Sequence, residues 1–200
     1  LDGWYIETIG GEIVWIDVDG GVFLNGEQMA ELNLNFIDIK TSNGIVHVLN
    51  DVMIPTDIAE VAEAAGFDTL VFALGEAGLV DAVKAPYGPL TVGAPTNDAD
   101  GEVDEDLLDA VLADPMGLLT QVLTYHVIDG VVLSPDVVAI APGESPATLQ
   151  GQTISIAEDL TLNAPGDDTL GINGATLGPV DIKTSTGVIH VISRVLVPAL

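Results

Sequence analysis

Three histidines, His47, His126 and His190, carry whatever imidazole chemistry this chain can do. They are the side chains that change charge near neutral pH, so a general acid, general base or imidazole metal ligand would be sought among them first. The chain has no cysteine, which removes thiol nucleophiles, disulfides and Cys-based metal sites. There is no G-x-S-x-G, no H-E-x-x-H, no phosphate-cradling glycine loop and no G-x-G-x-x-G. His47 and His190 each sit inside an apolar, β-branched run, where a structural, hydrogen-bonded imidazole is expected. A non-enzymatic protein is therefore expected.

Carboxylates are the other reactive population. Residues Thr96 to Leu107 read TNDADGEVDEDL. Asp98 and Asp100 fall on the third and fifth positions of a calcium loop, Gly101 on its sharp turn and Asp104 on its ninth position. Thr96 and Leu107 stand where the loop needs its first Asp and its bidentate Glu. Calcium is thus the one cofactor the spacing admits, through Asp98, Asp100 and Asp104, and otherwise none is expected. Thirty-one Asp plus Glu stand against 4 Lys plus Arg, a net charge of −27. Such a charge repels nucleic acid and anionic membrane surfaces. It suits a salty medium, where carboxylates keep a protein hydrated, or cation binding. Mean hydropathy is positive, but no apolar run nears the roughly 20 residues of a membrane span. The chain starts at Leu1 and reads as a processed or excised piece, compatible with a removed signal.

These side chains are positioned by a stretch that occurs twice. Asp38 to Pro55 read DIKTSNGIVHVLNDVMIP, and Asp181 to Pro198 read DIKTSTGVIHVISRVLVP, with ten of eighteen positions identical. Each copy is a polar turn followed by a strand. Ile45 to Leu49 and Val188 to Ile192 are apolar on both alternating faces, which predicts strands held between two layers. Upstream, Leu1-Asp2-Gly3 aligns with Leu149-Gln150-Gly151 and Asn25-Gly26 with Asn173-Gly174, and a five-residue insertion lies around Asn33 to Ile37. About one full unit, residues 56 to 200, follows the closing third of another, residues 1 to 55.

With Leu90-Thr91-Val92-Gly93-Ala94-Pro95-Thr96-Asn97-Asp98-Ala99, Leu123-Thr124-Tyr125-His126-Val127-Ile128 and the doubled motif on view, the chain resembles the fasciclin-like domain. The resemblance implies a wedge of β-strands with helices packed on one side, and an extracellular or cell-surface adhesion or matrix role in tandem repeats. It also implies an adhesion motif at Tyr125-His126 together with the Asp-Ile pairs, here Asp38-Ile39 and Asp181-Ile182. The residues before those pairs, Phe36-Ile37 and Pro179-Val180, differ, and structural roles for all six are the main expectation. Gly93 and Asp100 stand where the family usually has aromatics, which predicts either altered packing or a gap at that corner.

In chain order, short strands are expected over 4–9, 12–18 and 21–24, with Trp4, Tyr5 and Trp15 capping a small core or forming a contact surface. Asp57 and Glu60 make a capping box for a helix that Gly66 stops. Helices follow near 69–76, 79–84 and 104–112, then one restarted by Pro115. Strands are expected at 90–92 and 125–128, and β structure from there to the end, with loops over 142–146 and 164–168. Helices early and strands late indicate α+β. Three functions follow from these readings: an adhesion or matrix module, a structural subunit of an extracellular filament or surface assembly, and a carrier of a small apolar ligand. The expected partner is a protein or a cell-surface or matrix component, with self-association through the unpaired edges of residues 1–55.

Overall fold

A computed structural model of the chain describes residues 4–9, 13–17, 23–24, 32–53, 55–84, 89–100, 105–163 and 174–199. The side chains of Trp4, Tyr5, Trp15, Asp98 and Asp100, the whole of Asp104 and the loop 164–168 lie outside the described residues. The chain begins with a three-stranded antiparallel meander, β1 (Trp4–Glu7), β2 (Ile13–Asp17) and β3 (Phe23–Leu24). The first hairpin follows as β4 (Ile39–Lys40) and β5 (Ile45–Val46).

Then the period turns helical. Helix α1 (Ile58–Ala64) starts as expected: the Asp57 carboxylate accepts from the Glu60 N–H at 2.9 Å, and the Glu60 carboxylate accepts from the Asp57 N–H at 3.0 Å. The chain leaves it through Gly66, whose φ of +80° suits glycine. Helix α2 (Asp68–Glu76) and a 3-10 turn (Val80–Val83) follow. Strand β6 (Leu90–Pro95) runs longer than the three residues expected. After α3 (Asn97–Asp100) and α4 (Glu105–Ala113), a π turn over Pro115–Leu119, capped by the Asp114 carboxylate on the Leu118 N–H, leads into α5 (Thr120–Tyr125).

Three expectations fail here. Tyr125 is the last residue of α5, and the strand β7 starts two residues later (Val127–Asp129). The helix persists because Val122 and Leu123 reach the helical core, while the Thr124 hydroxyl donates back to the Thr120 carbonyl at 2.7 Å. Residues 134–140 were expected to be β, yet Ser134–Ile140 is helix α6. Pro135 fits the first helical turn, the Asp136 carboxylate accepts from the Leu133 N–H at 2.9 Å, and Val137 and Ile140, three apart, both reach the second core. The β-branched pair Val137-Val138 imitated a strand. The loop expected over 142–146 contains β8 (Gly143–Glu144), paired with β9 (Ser155–Ile156). The chain closes with β10 (Ile182–Thr184) and β11 (Gly187–Ile192).

Strands β10, β11, β6 and β7 form one sheet in that order, with β11 parallel to β6 and the other pairs antiparallel. Leu90, Val92, Ala94, Ile189 and Val191 face a core built with α1, α2, α4 and α5. Ile192 and Ile128 join Tyr125, Val137, Ile154 and Leu162 in a second core. Val188, on the same alternation as His190 and Ile192, packs on Ile13 of β2, whose N–H donates to the Ser185 carbonyl at 2.7 Å. The architecture is α+β: α1, α2, α4 and α5 pack on one face of the sheet, and α6 joins the second core on the other, where the expectation had all helices on one side.

The closing turn meets β6 backbone to backbone. Gly187 has φ +151°, and a Cβ on it would stand 1.9 Å from the Leu90 carbonyl oxygen. Gly44, its counterpart, has nothing within 4 Å and lies outside the positive-φ glycines. Gly187→Ala should therefore cost about 3 kcal/mol or more through overlap and backbone strain. Gly44→Ala should stay within about 0.5 kcal/mol. Denaturant midpoints of the two variants check this contrast.

Candidate functional site: two hairpins and the Tyr125-His126 corner

The two copies of the repeated motif fold alike. Asp38 and Asp181 both take φ +57°. The Asp38 N–H donates to His47 Nδ1 at 3.3 Å, and the Asp181 N–H to His190 Nδ1 at 3.3 Å. Val48 donates its N–H to the Phe36 carbonyl, and Val191 to that of Pro179. Thr41 and Thr184 hydroxyls each donate to the carbonyl of the glycine three residues on. Sequence identity thus extends to the hydrogen-bond pattern.

The surroundings do not match. His190 is buried, and with Nδ1 already accepting, its Nε2–H donates to the Val132 carbonyl at 2.7 Å. The Asp181 carboxylate accepts from the backbone N–H (2.8 Å) and the hydroxyl of Ser134, at the start of α6. Thr186 donates its hydroxyl to the Val83 carbonyl and accepts from the Ile58 N–H. In the first copy the Asp38 and His47 side chains are 70% and 46% exposed. Ile45 and Val46 are 58% and 48% exposed, where Val188 and Ile189 are at 0% and 1%. Phe36, Leu34, Ile39 and Val52 are exposed around them. The expected two-sided burial holds for Val188 to Ile192 and fails for Ile45 to Leu49, and His47 is not inside a buried strand. Among the described residues its hairpin is a two-stranded sheet of its own, β4 with β5, joined beyond β5 by a single bridge from Leu32 to Leu49.

The Tyr125-His126 corner is internal. Tyr125 is buried at the end of α5 with its hydroxyl donating to the Thr153 carbonyl at 3.0 Å. His126 Nδ1–H donates to the Val122 carbonyl at 2.8 Å, and Nε2 accepts from the Leu196 N–H at 2.8 Å. Both nitrogens are spent on the fold, in the tautomer opposite to that of His190. Burial disfavours the charged ring and lowers its pKa to about 4, against a smaller raising effect of the Val122 carbonyl. Of the six residues of the expected adhesion motif, Asp38 and Ile39 are the exposed ones; Asp181 and Ile182 are half-buried and engaged in closing the domain.

Two cavities flank this corner. Gly93 helps to line an apolar void of about 50 Å³ between Thr91, His126, His190 and Ile192, at the corner where its missing side chain predicted a gap. On the helical side, Leu70, Phe72, Ala73, Val111, Leu112 and Val195 line an apolar cleft of about 220 Å³, with Thr69 among its few polar neighbours.

Residues 65–198 match the sequence profile of the family described as Fasciclin domain. The chain belongs to the fasciclin domain family. It is 35% identical over 144 residues to protein sll1483 of Synechocystis sp., covering 70% of this chain and 73% of that protein. It is 30% identical over 165 residues to transforming growth factor-beta-induced protein ig-h3 of Oryctolagus cuniculus, covering 80% of this chain, and 32% identical over 188 residues to periostin of Homo sapiens, covering 89%. The chain spans only 22% and 21% of the length of those two relatives. A solved structure of a FAS1 domain pair from the insect cell adhesion molecule Fasciclin I shares the fold, with a TM-score of 0.54 at 16% identity, over 98% of this chain and 71% of that one.

Within a fasciclin domain, then, the doubled motif is the closing hairpin, and sequence reasoning missed what it closes on. Val132 and Ser134, the partners of His190 and Asp181, lie 58 and 47 residues away with no motif of their own. The cleft was missed as well, although Phe72, 59% exposed on α2, offered a signal as an aromatic off the buried Leu70–Leu74 stripe.

The buried His126 sets a pH dependence. Its folded pKa of about 4 lies below the ordinary histidine value of 6.5, so the unfolded chain binds the extra proton between those values. The contribution is fully present above pH 6.5 and is lost as pH falls toward 4, up to about 3 kcal/mol in all. His126→Gln should lower stability at pH 7.5 and flatten the slope between pH 6.5 and 4 relative to the parent, as read by urea titrations across that range.

Proposed function

We propose that this chain is a non-enzymatic adhesion or matrix module that acts outside the cell through protein contact, with the two exposed faces of the first hairpin as its contact surface. One observation carries the reading: Leu34, Phe36, Ile39, Ile45, Val46 and Val52 are exposed together on a hairpin whose twin is buried in the same chain. Apolar groups grouped in this way mark interaction surfaces in soluble proteins. Membership of the fasciclin domain family and the fold shared with an insect cell adhesion molecule support it. Two of the three histidines are engaged in the fold on both ring nitrogens, which leaves little for catalysis. No described helix is long and apolar enough to cross a membrane. Beads coated with the full chain should adhere to cells of the source organism. Phe36→Asp with Ile45→Asp should abolish this with the melting temperature unchanged, because both side chains are already exposed. Undiminished adhesion by the double variant would move the contact surface elsewhere.

A second reading is carriage of a small, uncharged apolar molecule, supported by the cleft of about 220 Å³ beside Phe72 and Leu112. His126 reaches this lining with both nitrogens already used, so no charged group recommends itself to a ligand there. Titration with an apolar fluorophore should saturate at one per chain, and Ala73→Phe, which fills the cleft, should remove the signal. A linear, unsaturable response would end this reading.

A further inference from the structure

We propose that the strap of residues 193–197, which walls the apolar cleft, is an acid-operated gate: on taking up a proton His126 lets go of the strap, and the cleft gives up the molecule it holds. This rests on the carrier reading and adds how that site is emptied.

The gate follows from where His126 stands. It is the one residue common to the linings of the small void and the cleft. Beside it, Val195 and Val197 line the cleft, while Leu196 between them reaches the second core. This segment makes no strand pairing with the described residues. One end is tied by the Ser193 N–H donating to the Thr176 carbonyl at 3.0 Å. At the other, Ala199 exchanges two hydrogen bonds with the Gln152 side chain. Midway, the Leu196 N–H donates to His126 Nε2 at 2.8 Å.

That middle tie depends on a neutral ring. Nδ1–H is committed to the carbonyl of Val122, itself a residue of the cleft wall, so an added proton lands on Nε2. Nε2–H would then face the Leu196 N–H, donor against donor. A buried cation beside an unsatisfied buried N–H is unfavourable on both counts. The unpaired strap is the part free to yield, and its movement takes Val195 and Val197 out of the wall and lets water reach the ring. Few other groups bear on that proton. Among the described lining residues His190 is the one other titratable group, and its ring nitrogens are bonded to the Asp181 N–H and the Val132 carbonyl. Helix α5 meets His126 with the Val122 carbonyl and β6 with the Gly93 N–H, while α2 and α4 line the cleft with Leu70, Ala73 and Val111. The charge on the strap itself is Arg194, a cation like the protonated ring. Burial therefore governs, and it holds the His126 pKa at about 4. An apolar cavity of about 150 Å³ takes up benzene. The cleft of about 220 Å³ accordingly suits a neutral molecule of one or two rings. The net charge of −27 weighs against an anion.

Naphthalene, neutral at every pH, is the probe, and equilibrium dialysis against the full chain measures its uptake. Affinity should be level from pH 7.5 to 5.5, about twofold weaker at pH 4 and about tenfold weaker at pH 3, following the His126 titration. Because such coupling is reciprocal, saturating naphthalene should move the midpoint of that titration, read from the ring's NMR shifts, lower by about half a pH unit or more. The Leu196 amide should lose its protection from hydrogen exchange through the same midpoint. His126→Gln, which can accept and donate toward the same two partners without titrating, should keep its own pH 7.5 affinity down to pH 3. A His126 midpoint unmoved by naphthalene overturns the gate and leaves carriage standing, as does an unaltered pH profile in His126→Gln. Absence of saturable uptake at pH 7.5 ends carriage, and the gate with it.

Discussion

The parallel pairing of β11 with β6 is the contact on which the rest of this domain depends. It joins chain segments almost a hundred residues apart, from Gly187 against Leu90 to Ile192 against Pro95. Closing so long a loop is costly, and the register must recover that cost through burial. Val188, Ile189, Val191 and Ile192 vanish from solvent, each contributing about 1.5–3 kcal/mol of transfer free energy. The pairing also sets the distance between backbones, which is why a glycine begins the strand. The turn at 184–187 then ties the sheet to α1, to the 3-10 turn and to β2 through Thr56, Ile58, Val83 and Ile13. A single strand thus fixes where both cores lie.

Burial on both faces of that strand dictates the state of the polar groups carried with it. His190 and His126 sit on neighbouring parts of the same second layer, and each has one ring nitrogen donating to a carbonyl and one accepting from a backbone N–H. A neutral imidazole can do both from opposite sides of one rigid ring, and protonation would turn its accepting nitrogen into a donor facing another donor. The geometry therefore selects histidine for its two-sided hydrogen bonding. A chain rich in acidic groups keeps its histidines for structure.

How far all this was legible in the residues depends on whether the cause was local. The α1 capping box was, because Asp57 and Glu60 satisfy each other within one turn. The doubled motif and its order with Leu90–Ala99 and Tyr125–His126 were enough to place the chain in its family. Helix α6 was not, because its two valines have strand propensity, and what overrides it is the landing of Val137 and Ile140 in a core assembled from distant segments. The sharpest limit lies in the motif itself. An eighteen-residue pattern occurs twice with the same internal hydrogen bonds, and one copy is buried while the other is exposed. Periodicity reports that a strand could be covered on both faces; whether anything covers it is a property of the rest of the assembly.

The same asymmetry gives the acidity a physical role. An exposed hairpin with unpaired edges and branched aliphatics is a template for indiscriminate strand pairing. Here it belongs to a chain with a net charge of −27. Like charge of that size opposes the approach of any two copies, most strongly at low salt and less as the Debye length shortens to about 3 Å near 1 M. Contact through the hairpin then has to be won by a surface whose fit outweighs the repulsion, with hydrogen-bond partners for Asp38 and His47 as well as an apolar face. The chain's net charge and the hairpin's exposed aliphatics thus act in opposite directions on any approach to it. On the proposed contact, a partner offering hydrophobicity alone would leave the exposed Asp38 and His47 without hydrogen-bond partners beyond each other.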